Sequence, residues 1–236
     1  MSRNNYRPSA EEPWRVFRIM AEFVDGFDTM SRLGAAVAVF GSARTLPNEP
    51  SYEQAVQLGR RLAEEGFTVI TGGGPGIMEA ANKGAYEAGG TSIGCNIVLP
   101  HEQRANPYQT ISLNFDYFFA RKVMFVRYSV AMVCFPGGYG TLDELFEALT
   151  LIQTQRSHPS PLILIGSQYW NGLVTWLREQ LLERHHTISR SDLDLFKVTD
   201  DIEEAVSEIQ SRYRQAGPLW EPPRRMTAGG AIEYGA

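Results

Sequence analysis

The chain has 236 residues, 43% of them hydrophobic, which is enough to bury a full core and to hold one domain with short additions. Its formal net charge of −5 argues against general affinity for nucleic acid or acidic membranes, which requires clustered lysine and arginine. No apolar run approaches the ~20 residues of a membrane-spanning helix, and the acidic start of the chain lacks the plan of a signal peptide.

Residues 1–12 are polar and read as a mobile arm. From Pro13 to Leu33, Trp14, Phe17, Ile19, Met20, Phe23, Val24 and Phe27 mark an amphipathic helix. Its aromatic face is suited to covering the core or a partner subunit, whereas Glu22, Asp25 and Asp28 suit an anionic membrane badly. Ala35–Phe40 is the first core strand and runs into Gly41-Ser42-Ala43-Arg44. A helix over Ser51–Glu65 turns Ala55, Leu58 and Leu62 inward and stops at Gly66. Phe67–Thr71 is the second strand, followed by Gly72-Gly73-Gly74-Pro75-Gly76 and a helix through Ala88. Pro75 fits the first turn of that helix, and Ala80, Ala81, Gly84 and Ala85 permit close approach to the sheet. Thr91–Leu99 reads as a third strand, and the polar stretch Pro100–Pro107, with His101 and Arg104, as a lid or specificity loop. A short strand over Thr110–Asn114 leads to a helix over Tyr117–Ser129 that carries Arg121 and Lys122 and buries Val123, Phe125 and Val126.

Val130–Phe135 is an uninterrupted apolar run, the mark of a parallel strand covered on both faces. Pro136 ends it, Gly137, Gly138 and Gly140 allow a tight path, and Leu142, Leu145, Phe146 and Leu149 recur at helical spacing. Such a strand–loop–helix leaves free amides at the positive end of a helix dipole, a seat for phosphate that needs no lysine. Further on come a turn at His158-Pro159-Ser160, a strand over Pro161–Ile165, a helix over Tyr169–Leu182 and a small strand over Leu195–Val198. A final helix spans Ile202–Arg214, and the tail from Gly217 is rich in proline and glycine and reads as flexible.

Alternating strands and helices imply an α/β fold with a doubly wound parallel sheet. The three glycine loops, at Gly41, Gly72–Gly76 and Gly137–Gly140, then converge on its carboxyl edge. None fits G-x-G-x-x-G or the P-loop, which argues against a dinucleotide oxidoreductase and a P-loop NTPase. Cys95 and Cys134 stand in apolar runs without a metal-spaced neighbour and read as buried thiols of a reducing cytoplasm. The adjacent His185 and His186 offer no metal-binding face.

Glu144 carries two readings. Thr141-x-x-Glu144 has the form of a capping box, a purely structural device. Beside a phosphate seat, the same carboxylate could stabilise an oxocarbenium-like centre or activate water. Arg121, near a helix start, opposes the dipole and calls for an anionic partner, either a phosphate ester or Glu144. Lys122 is not separable from an ordinary surface lysine by residue type.

The run Pro136-Gly137-Gly138-Tyr139-Gly140-Thr141-Leu142-Asp143-Glu144 resembles the PGGxGTxxE signature of the LONELY GUY family, often labelled lysine decarboxylase. Arg121-Lys122-x-Met124 and Gly72-Gly73-Gly74-Pro75-Gly76-Ile77-Met78 resemble two further motifs of that family, and the similarity covers roughly residues 34–210. The resemblance implies a Rossmann-like fold and a homodimer or larger assembly with active sites at or near the subunit interface. It implies hydrolysis of the N-glycosidic bond of a nucleoside 5′-monophosphate, AMP or a cytokinin riboside monophosphate, to free base and ribose 5-phosphate. Arg121 and Glu144 are then the catalytic pair, and Gly137, Gly138, Gly140 and Thr141 the phosphate loop. Gly73 and Gly74 form the adjoining wall, Lys122 and Met124 are further substrate-binding residues, and neither cofactor nor metal is called for. The label lysine decarboxylase finds no lysine in a pyridoxal-phosphate context. Glu79 departs from the glycine that small members often carry after the methionine. The organisation expected is an N-terminal extension over 1–33, a catalytic domain over 34–215 and a tail over 216–236. The rival reading is a non-catalytic nucleotide or molybdenum-cofactor carrier; a DNA-processing role is opposed by the absence of a basic stripe.

Overall fold

The computed structural model of the chain describes residues 12–98 and 105–216, so the start of the polar arm, the residues His101–Arg104 and the tail from Gly217 lie outside the described residues. The strands are β1 (Ala36–Phe40), β2 (Thr68–Thr71), β3 (Ser92–Ile97), β4 (Ile111–Phe115), β5 (Ser129–Cys134), β6 (Leu162–Ile165) and β7 (Phe196–Thr199). They form one parallel sheet in the order β4-β3-β2-β1-β5-β6-β7. The chain starts in the middle at β1, steps outward to β4, then crosses back and lays β5 along the other side of β1. This is an α/β, Rossmann-like, doubly wound sheet. The order reverses between β1 and β5, and in open sheets of this kind ligands bind in the crevice at that switch point.

The helices are α1 (Glu12–Met30), α2 (Pro50–Glu64), α3 (Ile77–Glu87), α4 (Phe118–Tyr128), α5 (Tyr139–Gln153), α6 (Ser167–Trp176) and α7 (Ile202–Ala216). Successive residues of β1 face opposite layers, as the period of a strand requires. Val37 and Val39 pack under α2, α3 and α7, while Ala36, Ala38 and Phe40 pack under α1, α4, α5 and α6. Every side chain of β1 is buried, which is why the strand reads as continuously apolar.

Several boundaries differ from expectation for local reasons. Gly66 takes a left-handed φ of 81°, and Phe67 N–H reaches back to the Leu62 carbonyl, so α2 ends as predicted. Pro75 does not enter α3; Gly76 is the N-cap and the helix starts at Ile77. Gly84 makes its close approach to the backbone of α2 at Val56, not to the sheet. On α4 it is Met124 and Phe125 that are buried, whereas Val123 faces out. Helix α6 begins at Ser167 and runs without interruption into a π-helical stretch, Leu177–Arg184.

Helix α1 packs on α4. Gly26 lies against Met124, where any side chain at 26 would meet the Met124 Sδ and Cε. The Glu22 carboxylate accepts from the amides of Asp116, at 2.8 Å, and Tyr117, at 3.3 Å. Since α4 has no side-chain cap of its own, a residue of α1 places negative charge at the start of the helix that carries Arg121 and Lys122. The aromatic face expected to cover the core is divided: Phe23 is half-buried, while Trp14, Phe17, Met20 and Val24 are exposed.

Candidate active site

The loops after β1, β2 and β5 are bonded to one another. Ser42, just beyond β1, donates its amide to the Pro136 carbonyl and accepts from the Ile77 amide through its own carbonyl, both at 3.0 Å. One backbone unit therefore ties the glycine loop after β2 to the glycine loop after β5.

In the second of these loops, α5 begins at Tyr139 with Gly138 as N-cap and no side-chain cap. The capping-box reading of Thr141 and Glu144 is thereby overturned, because glycine occupies the cap and Thr141 already lies in the first turn. The Thr141 hydroxyl instead covers Gly137 so closely that any Cβ there would overlap it. The Gly138 carbonyl accepts from Thr141 and Leu142, and the Gly137 carbonyl accepts from the Tyr169 hydroxyl at 2.5 Å. Among the described residues, the amides of Gly137, Gly138, Tyr139 and Gly140 donate to no protein acceptor. These are the donors that an anion at a helix N-terminus recruits.

Glu144 lies farther along the same helix and is buried, at 5% exposure. Burial pushes its carboxyl up to about 7, while Lys122 and Arg121 pull it back down and Glu147 and Asp143 add to the rise. The Lys122 ammonium lies 2.8 Å from Asp143, 2.7 Å from Glu147 and 3.8 Å from Glu144. It is thus committed to carboxylates of α5, and those hydrogen bonds raise its basicity against the cost of burial. Asp143 and Glu147 form the clamp.

Arg121 sits across the crevice. Its guanidinium borders Gly72 and lies over the Phe118 ring, 5.0 Å from the centroid. Burial lowers its basicity, opposed by the charge of Glu144, and its Nε is buried without a hydrogen-bond partner. Among the described residues it forms no ion pair within 4.0 Å, so it does not clamp Glu144.

The wall of Gly73 and Gly74 is held by residues that the motifs did not signal. The Gly73 carbonyl accepts from the Asn106 amide and the Gln109 side chain, both at 2.9 Å, and the Gly74 carbonyl accepts from the Asn106 side chain at 3.0 Å. Gly73 has a left-handed φ of 73°, and a side chain there would overlap Asn96. Met124 is fully buried and touches α1. Cys95 and Cys134 are buried free thiols, each pushed up to about 12 by burial, next to Arg121 and Glu144 respectively. Glu79 accepts a hydrogen bond from the buried Tyr52 hydroxyl at 3.0 Å. Among the described residues no cluster of His, Cys, Asp or Glu has the form of a metal site, and no helix is long and apolar enough to cross a membrane.

A family model described as possible lysine decarboxylase matches residues 78–209, more than half of the chain. The chain belongs to that family. Within it, a cytokinin riboside 5′-monophosphate phosphoribohydrolase from Arabidopsis thaliana is 30% identical over 155 residues, which are 64% of this chain and 70% of the relative. A probable enzyme of the same name from Oryza sativa is 33% identical over 132 residues; the match takes in 55% of this chain and spans about half, 53%, of the relative. Among solved structures, the molybdenum cofactor carrier protein from Chlamydomonas reinhardtii aligns with a TM-score of 0.57 at 25% identity, covering 75% of this chain and 97% of that one. The family label names a decarboxylase, yet the lysine nearest the crevice, Lys122, is bound among three carboxylates.

Proposed function

We propose that the protein is a nucleoside 5′-monophosphate phosphoribohydrolase acting on AMP or a cytokinin riboside monophosphate. One observation carries the reading: free amides, a buried carboxylate and a guanidinium with an unpartnered Nε meet at one sheet edge. The 5′-phosphate docks on Gly137–Thr141, and this remote anchor orients the ribose over Glu144. Water then attacks the anomeric carbon as its bond to the base nitrogen breaks. The bonding pair leaves with the base, and the proton removed from water ends on the base. Glu144 takes that proton from the water and gives it up again to the base nitrogen, directly or through solvent, which regenerates the carboxylate; a carboxyl poised near neutrality is suited to both transfers. Arg121 hydrogen-bonds the departing base but is not the acid, because guanidinium does not give up its proton.

A homodimer is part of the proposal. Lys122, Tyr139, Asp143, Phe146 and Glu147 line an open groove beside Glu144, and a second copy laid over it would enclose the site.

The test is incubation with AMP and with isopentenyl-adenosine monophosphate, resolving free base by chromatography. Base released by wild type and lost in Glu144→Gln supports the reading; undiminished release in that variant overturns it. The resemblance to the carrier protein supports a second reading, in which the seat binds without turnover. Tight nucleotide binding by calorimetry with no base released on long incubation would favour it.

A further inference from the structure

We propose that Tyr169 is a positioning residue of the phosphate seat, one that sets which way the Gly137–Gly138 peptide faces; this rests on the reading of that loop as a phosphate site. Among the described residues the peptide bonds are trans, and in a trans peptide the carbonyl and the following N–H point in opposite directions. Any donor that captures a carbonyl of the loop therefore aims the next amide the other way. Three successive carbonyls are captured. Ser42 holds that of Pro136, Tyr169 that of Gly137, and Thr141 with Leu142 that of Gly138. The amides of Gly137, Gly138 and Tyr139 are left free and turned from their captors.

Two of the three captors are main-chain groups that come with the fold. The third is a side-chain hydroxyl, and it acts on a glycine pair that could otherwise rotate at little cost. Helix α6 is built to hold that hydroxyl in place. At its N-terminus Gly166 has a left-handed φ of 103°, which strains any other residue, and a Cβ there would press on the Pro136 ring. The Ser167 amide donates to Asp200 at 2.7 Å, fixing the first turn. Trp170 is fully buried and donates its indole N–H to the Ile165 carbonyl at 3.0 Å, and the Tyr169 ring stands perpendicular to it with the centroids 4.8 Å apart. Tyr169 is 44% exposed, so packing alone does not fix the ring.

Tyr169→Phe removes one oxygen and keeps the ring. By calorimetry the variant should bind ribose 5-phosphate about fivefold to tenfold more weakly than wild type, and the KM for AMP should rise by the same factor. Its thermal midpoint without ligand should stay within about 2 °C. Unchanged affinity for ribose 5-phosphate overturns the assignment, as does a fall in thermal midpoint large enough to account for the loss. Wild type that binds ribose 5-phosphate but releases no base removes the catalytic reading and leaves the Tyr169 assignment standing. Wild type that does not bind ribose 5-phosphate overturns both.

Discussion

At Glu144, function and stability pull against each other. Its carboxyl is raised from 4.5 to about 7, mainly by burial. Between those two values the unfolded chain has released a proton that the folded chain retains, so stability falls as pH rises through the window. The shift corresponds to ~3 kcal/mol once the carboxyl is fully ionised. Glu144→Gln should therefore unfold at higher urea concentration than wild type at pH 8, and the difference should vanish by pH 4. Lys122 would keep Asp143 and Glu147 as partners in that variant, so no unpaired cation offsets the gain. Base release should rise with pH to a plateau, with a midpoint near 7; a flat profile from pH 5 to 9 would show that Glu144 does not titrate in the rate-limiting step. Lys122 lowers the Glu144 value, so Lys122→Met should move the midpoint to higher pH and Lys122→Arg should largely restore it.

Among the elements, α4 depends most on a distant one. It carries Arg121 and Lys122, and the carboxylate at its start comes from Glu22 of α1. Removal of a helix cap costs about 1 kcal/mol, so Glu22→Ala should lower stability in urea melts by that order, and Glu22→Gln by less. The KM for AMP should rise in both if α1 orients Arg121, and an unchanged KM would confine α1 to stability. The three glycine loops were legible because each is a contiguous string after an apolar run. Thr141 and Glu144 were legible as a pair, but their spacing fits a capping box, and only the glycine N-cap decides against that. Tyr169, Asn106 and Gln109 left no local signal, since they reach the loops across 32 to 36 residues of chain. The exposure of Val123 was hidden for a related reason: which side of α4 is covered depends on where α1 lies.

For the molecule as a whole, the exposed apolar side chains of three helices are unusual. Trp14, Phe17, Met20 and Val24 of α1, Phe118 and Phe119 of α4 and Phe146 of α5 are all exposed. The Phe23 ring lies 6.5 Å from that of Phe119, so the exposed residues of α1 and α4 adjoin, and contiguous apolar surface is rare on a monomer. A second copy is the expected occupant, and sedimentation at micromolar concentration should give twice the chain mass. Phe17→Asp combined with Phe119→Asp should give monomers with weakened turnover; a wild-type monomer that is fully active would remove the dimer. The sheet order was legible only as a class, because apolar runs announce parallel strands without naming their neighbours. That order has a consequence for synthesis. Strands β2, β3 and β4 leave the ribosome before β5, so the backbone N–H and C=O groups along one border of the apolar strand β1 wait unpaired while the intervening segment is made. During that interval the nascent chain offers a sticky, half-built platform, and a chaperone that shields the border until Ser129–Cys134 arrives would protect the crevice before it exists.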